Sequence, residues 1–461
     1  MSSATETFFK SLEGKKICFI GAGVSHIDAI KMFAGKGLCV ELRDKRSKES
    51  LGEVAEEFEK LGVSLVLGEK YLEELDAEVI FRTPGMNFLH PALTQARKRG
   101  AVVTSELETF FDLCPCRSFA VTGSDGKTTS TTLIAEILKA QGYNVLLGGN
   151  IGKALLPEIE KVSADDVVVA ELSSFQLMSM RNRFDVSVVT NVAPNHLDVH
   201  KDMEEYIGAK KNIYAHQNAF SRTVLNADNE ITREMGAEIR GEAVYFSLSG
   251  NVKDGAYFDG EYLCYDKNGK SERIIKASDI KIRGMHNVDN FLTAIAATYG
   301  YVKPETVEKV AREFGGVEHR IEFVREKNGV KWYNDSIATN PTRTIAGLRA
   351  FDRKMIIIAG GYDKKIPFEP LAPEINARVK LLILTGATAD KIEAAVKNDA
   401  GYDGTELRII RAEDLEEAVK IADENAVAGD IISLSPACAS FDKYRNFEER
   451  GKHFKVLVNA L

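Results

Sequence analysis

Between Val121 and Thr132 the chain reads VTGSDGKTTSTT, an apolar strand end followed by glycines, a lysine and consecutive hydroxyls. These residue types suit a phosphate cradle. Gly123 and Gly126, on either side of Ser124 and Asp125, let backbone N–H groups of this loop turn toward a nucleotide, and a helix starting just after them favours an anion. Lys127 brings a point charge to β- and γ-phosphates, and Thr128 or Thr129 offers a hydroxyl to Mg2+. The spacing departs from the general G-x-x-x-x-G-K-[ST] loop, because Gly123 stands only four residues before Lys127, so the assignment needs support elsewhere. Glu171 supplies it, as a carboxylate emerging from the apolar run DDVVVA and a natural ligand for Mg2+ beside nucleotide phosphates. His196, in TNVAPNHLD, is expected at the same sheet edge in a metal or substrate role. Asn287 and Asn290 are three apart at the start of an alanine-rich helix, a spacing that lets both amides face one purine or ribose.

Short β-branched runs alternating with helical segments must position these groups, a pattern that predicts an α/β protein of parallel sheets. The chain divides into three parts, 1–111, 112–316 and 317–461. The first has expected strands at Lys16–Ile20, Cys39–Leu42, Ser64–Leu67, Glu78–Phe81 and Ala101–Thr104, with a helix over Glu53–Leu61, and reads as a Rossmann-like doubly wound sheet. The second reads as a P-loop ATPase-type parallel sheet: Ser118–Val121 enters the phosphate loop, Thr132–Leu138 continues as helix, and Asp166–Ala170 and Val186–Thr190 are further buried strands. Within it, Ala243–Arg283 suggests a small antiparallel insertion. The third is again Rossmann-like, with strands at Lys354–Ile358, Leu381–Leu384, Leu407–Ile410 and Asp430–Leu434.

The first strand runs into Gly21-Ala22-Gly23-Val24-Ser25-His26, a partial dinucleotide fingerprint in which two glycines permit a tight turn near a diphosphate. His26 occupies the third-glycine place and is expected to loosen helix–strand packing there, so NAD is not the best reading. Arg43-Asp44-Lys45-Arg46 ends the second strand, either holding a base, ribose or phosphate or forming a solvated charge run. Thr83-Pro84-Gly85 closes the fourth strand as a turn toward the same ligand.

The 461 residues carry 60 basic and 68 acidic side chains, a net charge of −8, and 44% are hydrophobic. That balance argues against a general nucleic-acid or anionic-membrane surface. Apolar runs fall short of the roughly 20 residues of a membrane span, and the six cysteines are dispersed apart from Cys114-Pro115-Cys116, which lacks redox or zinc spacing. A reducing cytoplasm is the expected compartment.

Taken in order, TGSDGKTT (122–129), GGNIG (148–152), Glu171–Leu177, Asn191–Asp198 and GMHNVDN (284–290) resemble the ATP-dependent Mur ligases of peptidoglycan precursor synthesis. NDSIATN (334–340), SPACASFD (435–442) and RNFEERG (445–451) resemble the branch of that family whose substrates are UDP-N-acetylmuramoyl-L-alanine and D-glutamate. The resemblance covers nearly the whole chain. It implies three domains: the first binding the UDP substrate, through Ser25, Asp44, Arg46, Thr83 and Gly85; the second binding ATP; the third binding the amino acid. It further implies two Mg2+ ions, the first served by Thr128 or Thr129 with Glu171, the second by Glu171, His196 and a carbamylated Lys210. From the residues alone Lys210 reads as a helix-surface lysine. The family places adenine at Asn287 and Asn290, has Arg320 reach the γ-phosphate and Asp335 hold the ribose, so that domain closure becomes part of catalysis. Asn150, Ser173 and His196 are implied around the UDP-linked substrate, and Thr339, Lys364, Ser440, Phe441 and Phe447 around D-glutamate. One departure is Ile337, where many members carry lysine in N-D-S-K-A-T-N; Lys364 or Lys365 is the expected compensation. A cytoplasmic monomer is the family expectation.

Overall fold

Five short strands make the first sheet, all parallel, in the spatial order Ser64–Leu67, Cys39–Asp44, Lys16–Ile20, Val79–Arg82, Val102–Thr104. This is a computed structural model, and it describes residues 3–194, 200–282, 284–364 and 366–461. The chain forms two compact units, Met1–Glu313 and Phe314–Leu461, and the first sheet belongs to unit 1. Its two central strands are almost wholly buried, as strands covered by helices on both faces must be. Phe19 stacks on Phe81 at 4.5 Å, and Phe33 meets both rings edge-on. Strand order reverses at Lys16–Ile20, so the carboxyl ends of Lys16–Ile20 and Val79–Arg82 open the crevice at which doubly wound sheets hold ligands.

The His26 expectation is corrected here. The ring is fully buried, lies edge-on to Phe19 at 5.3 Å, and places Nδ1 2.8 Å from the Gly21 carbonyl oxygen. Burial lowers its pKa to about 4, so it packs as a neutral aromatic and ties the helix Val24–Gly35 to the glycine turn rather than loosening it.

The second sheet of unit 1 runs Lys270–Lys276, Tyr262–Lys267, Gly255–Phe258, Glu242–Ser247, Arg222–Asn226, Val186–Val189, Arg117–Thr122, Val167–Glu171, Val145–Gly149. Parallel pairing extends from Val145–Gly149 as far as Gly255–Phe258, and only the last two pairings are antiparallel. The antiparallel strands expected within 243–283 are therefore present, but they extend the main sheet edge to edge. The helix expected over Thr132–Leu138 spans Lys127–Gln141, which puts Lys127, Thr128 and Thr129 in its first turn. Thr131 and Thr132 donate their hydroxyls to the carbonyls of Lys127 and Thr128, at 2.7 and 2.8 Å, and so tolerate a helical position.

Among its described residues unit 2 has one sheet, ordered Glu322–Lys327, Val330–Asn334, Ile431–Leu434, Met355–Ala359, Val379–Leu384, Arg408–Arg411. Only the first pair is antiparallel. Among the described residues no helix is long and apolar enough to cross a membrane.

Candidate active site

Register fixes the centre of unit 1. Arg117–Thr122 lies between Val167–Glu171 and Val186–Val189, pairing Val121 with Glu171 and Thr122 with Val189. The loop leaving Thr122 is thus flanked by Glu171 on one side and by Thr190 and Asn191 on the other. Gly123 has φ +152° and Gly126 φ +75°, and a Cβ at Gly126 would stand 2.7 Å from Asn290 Oδ1, so both the turn and the close approach require glycine. Ser124 N–H donates to the Asn191 carbonyl at 2.9 Å, and Asp125 N–H to Asn191 Oδ1 at 2.9 Å. Thr190 Oγ1 donates to the Asp125 carbonyl at 2.6 Å, completing a cross-braced loop.

Lys127 folds over this loop and donates to the Gly123 and Ser124 carbonyls, each at 2.9 Å. Thr128 and Thr129 are buried beside it. Glu171 is 2% exposed; Oε1 accepts from Asn150 Nδ2 at 2.7 Å, while Oε2 is buried without a hydrogen-bond partner among the described residues. A buried carboxylate oxygen is costly unless something pairs with it, and the neighbouring donor set of carboxylate and threonine hydroxyls is one that Mg2+ accepts. The residues therefore fit such an ion.

The surface position read for Lys210 from its residues alone is wrong. Lys210 is 1% exposed, donates from Nζ to the Gly123 carbonyl at 2.7 Å and sits 4.6 Å from the Tyr206 ring centre. Burial, with the Lys127 charge adding to it, lowers its pKa to about 7. The helix Met203–Ala215 turns Tyr206, Ala209, Lys210 and Ile213 inward, so the lysine lies on its apolar stripe. Tyr206 is a residue the sequence reading passed over: its hydroxyl lies 3.0 Å from Ser124 Oγ and helps fix the loop.

Asn287 and Asn290 bond each other, Asn290 Nδ2 donating to Asn287 Oδ1 at 3.3 Å, and Asn290 Oδ1 accepts from Ser130 Oγ at 3.2 Å. This pair backs the start of the phosphate-loop helix. Ser173 has its hydroxyl engaged in a capping box with Gln176 at the start of Ser174–Leu177. His196 lies outside the described residues.

In the first sheet, Asp44 is buried and accepts from Ala22 N–H and from Arg46 Nη2, each at 2.7 Å. Burial alone would raise its pKa, but the Arg46 guanidinium and these N–H groups hold it at about 2. Thr83 packs under Gly21, its Cβ 3.5 Å from where a Gly21 Cβ would stand, Gly85 is exposed in the turn, and Ser25 is half-buried in the first turn of Val24–Gly35. Arg43 departs from a solvated run: it is buried and donates to the carbonyls of Tyr71, Glu73 and Glu74.

Unit 2 gathers its own set. Asp335 is buried, accepting from Ile321 N–H at 3.2 Å and Ser435 Oγ at 3.0 Å, and burial raises its pKa to about 7. Arg320 is half-buried one residue before Ile321. Lys364 donates to the Thr339 carbonyl at 3.3 Å. Ser440 is 2% exposed, its Oγ without a hydrogen-bond partner among the described residues, Phe441 is exposed against Tyr362 at 5.9 Å, and Phe447 meets His319 edge-on at 5.9 Å. Lys365 lies outside the described residues. Arg450, quoted in the motif but given no role, is 5% exposed and donates to Ser336 Oγ and to the carbonyls of Ser336, Cys438 and Ala439, joining the two loops that carry Thr339 and Ser440. Its signal was the buried stripe Arg450, Gly451, Phe454, Val458 on Phe447–Ala460.

Residues 121–298 match the Mur ligase middle domain, and residues 319–438 match the Mur ligase, glutamate ligase domain. The UDP-N-acetylmuramoylalanine--D-glutamate ligase of Acetivibrio thermocellus is 50% identical over 100% of both chains, and that of Clostridium kluyveri is 50% identical over 99% of each. Among solved structures, UDP-N-acetylmuramate-alanine ligase from Thermotoga maritima superposes with a TM-score of 0.60 at 18% identity, over 97% of this chain and 99% of that one. A pseudomurein peptide ligase type C from Methanothermus fervidus gives 0.54 at 19%, over 97% and 100%. These two share the fold. With full-length relatives at half identity, the middle-domain model matched across the loop and carboxylate described above and the glutamate ligase domain model matched in unit 2, the chain belongs to the Mur ligase family, the ATP-dependent ligases of peptidoglycan synthesis.

Proposed function

We propose that this ligase joins D-glutamate to UDP-N-acetylmuramoyl-L-alanine with ATP, releasing ADP and phosphate. The observation that carries this reading is the convergence of the Gly123–Thr129 loop, the unpartnered Glu171 Oε2 and buried Lys210 at one sheet edge, in a chain half identical to relatives named for that reaction. The UDP moiety is assigned to the crevice of the first sheet at Ser25, Asp44, Arg46, Thr83 and Gly85, with Asn150 and Ser173 nearer the reacting end. ATP is assigned to the loop of the second sheet with Asn287 and Asn290, and to Arg320 and Asp335 of unit 2; Thr339, Lys364, Ser440, Phe441 and Phe447 are assigned to D-glutamate. The domain bounds expected from sequence, 1–111, 112–316 and 317–461, are carried with this division of labour, as is a cytoplasmic monomer that binds neither nucleic acid nor membrane.

A carboxylate is a poor electrophile, so the reaction needs a leaving group. The substrate carboxylate attacks the γ-phosphorus of ATP and ADP departs. The N–H groups at the start of the helix Lys127–Gln141, which no side chain caps, and the Lys127 ammonium hold the phosphoryl oxygens in line and neutralise the charge that builds on them. The D-glutamate amine then attacks the acyl carbon, and collapse of the tetrahedral adduct expels phosphate and leaves the amide. Glu171 with Thr128 or Thr129 would hold one Mg2+, and Glu171, His196 and a carbamylated Lys210 a second, which would supply Lewis-acid charge stabilisation when bound.

Carbamylation of Lys210 belongs to the same proposal. A buried ammonium beside Lys127 is disfavoured, which exposes a neutral amine able to attack CO2; loss of a proton leaves an N-carboxylate in place of a cation. Incubation with 13C-bicarbonate and Mg2+ is expected to give one slowly exchanging carbamate resonance that Lys210→Arg removes. An active, metal-loaded enzyme whose Lys210 is found unmodified by mass would contradict it. The function itself is tested by the mass of the product formed from the three substrates, expected to be the D-glutamyl adduct and absent without ATP.

A further inference from the structure

Two cations converge on one short loop of unit 2. Lys364 Nζ reaches the Thr339 carbonyl at 3.3 Å, and Arg343, in the first turn of Pro341–Arg349, donates from Nη1 to the Ile337 carbonyl at 3.3 Å. After burial, the Arg343 charge is the largest influence holding Lys364 below its ordinary pKa, so the two groups sense each other directly. Among the described residues neither forms an ion pair with a carboxylate, and Asp335, which also senses Arg343, is buried with its oxygens turned to Ile321 N–H and Ser435 Oγ. Like charges held side by side without a counter-ion are unfavourable until an anion joins them. A second, independent sign of a ligand is the buried Ser440 Oγ, which has no hydrogen-bond partner among the described residues. The bridge between Tyr362 and Ala439 lays the segment that leads to Lys364 against Ser440, so the hydroxyl and the cations belong to one region.

We propose that Arg343 is the second cation of the amino-acid site, neutralising with Lys364 the two carboxylates of D-glutamate. It takes over the charge that Ile337 does not supply. The Ile337 carbonyl anchors one guanidinium N–H and leaves the rest of a planar fork suited to a carboxylate, from an exposed position that costs little to desolvate. This rests on the reading of unit 2 given above.

Steady-state kinetics on the full-length enzyme test it. Arg343→Ala is expected to raise KM for D-glutamate about 10- to 100-fold, as loss of a charge-assisted contact does, with KM for ATP and for the UDP-linked substrate within about twofold. Arg343→Lys is expected to retain part of the affinity. Adding Ile337→Lys to Arg343→Ala is expected to recover it, because a cation returns to the same loop; a merely structural arginine would not be rescued this way. Unchanged thermal unfolding of the exposed-site variant serves as the check on folding. A D-glutamate KM within about twofold of wild type, or a rise shared equally by all three substrates without rescue, overturns the assignment. Wild-type turnover with D-glutamate separates the two claims: its absence overturns the parent reading, whereas intact wild-type turnover with an unaffected Arg343→Ala overturns only the role of Arg343.

Discussion

Lys127→Ala is expected to slow ligation by about 10³-fold or more, roughly 4 kcal/mol of lost transition-state stabilisation. The argument is geometric. Lys127 is the cation in the first turn of the helix that the glycine loop starts, and its ammonium already lies over the Gly123 and Ser124 carbonyls, ready to be drawn away by phosphate oxygens. Removing it leaves the loop braced by Asn191 and Thr190, so the fold and the backbone donors persist while the mobile charge is gone. The crevice between Gly21, Asp44 and Thr83 is built from a different sheet, and calorimetric binding of the UDP-linked substrate is expected to stay within about twofold. Near-normal turnover in this variant would contradict the phosphate-loop assignment.

Glu171→Gln is the second large effect. Glutamine keeps an oxygen able to accept from Asn150 and nearly the same shape, but it removes the charge from the buried position where Oε2 has no partner. A drop in kcat of about 10²- to 10³-fold is expected, the range for losing a preorganised electrostatic contact at a reacting phosphoryl group. The Mg2+ concentration needed for half-maximal rate should rise with it. A variant with unchanged Mg2+ dependence and a rate within about threefold would mean that Glu171 is a structural carboxylate only.

Sequence legibility followed local physics. Strand ends that feed glycine turns were readable, because Gly123 and Gly126 adopt backbone angles other residues resist and the apolar runs before Thr122 and Glu171 are too short for helices. Lys210 was legible only through resemblance, since a lysine gives no sign from its own type that a helix will turn it inward beneath a loop far away in sequence. The hairpin of Glu322–Lys327 and Val330–Asn334 went unread because its charged residues mask alternation; Asn328-Gly329, with φ +52° and +78°, was the turn signal available. The edge-to-edge extension of the central sheet depends on Glu242–Ser247 pairing in parallel with Gly255–Phe258, a nonlocal choice that composition reads only as a more polar, glycine-rich stretch. His26 looked disruptive because a third glycine was the reference, yet a neutral imidazole between Phe19 and the Gly21 carbonyl fills that space.

The central claim is the identity of the amino acid that captures the activated carboxylate. Phosphate release with Mg-ATP and UDP-N-acetylmuramoyl-L-alanine, with D-glutamate, L-glutamate, L-alanine, L-lysine or meso-diaminopimelate added singly, tests it most directly. The account predicts sustained release and the matching adduct with D-glutamate alone; sustained release with another of these amino acids, or with none, would contradict it.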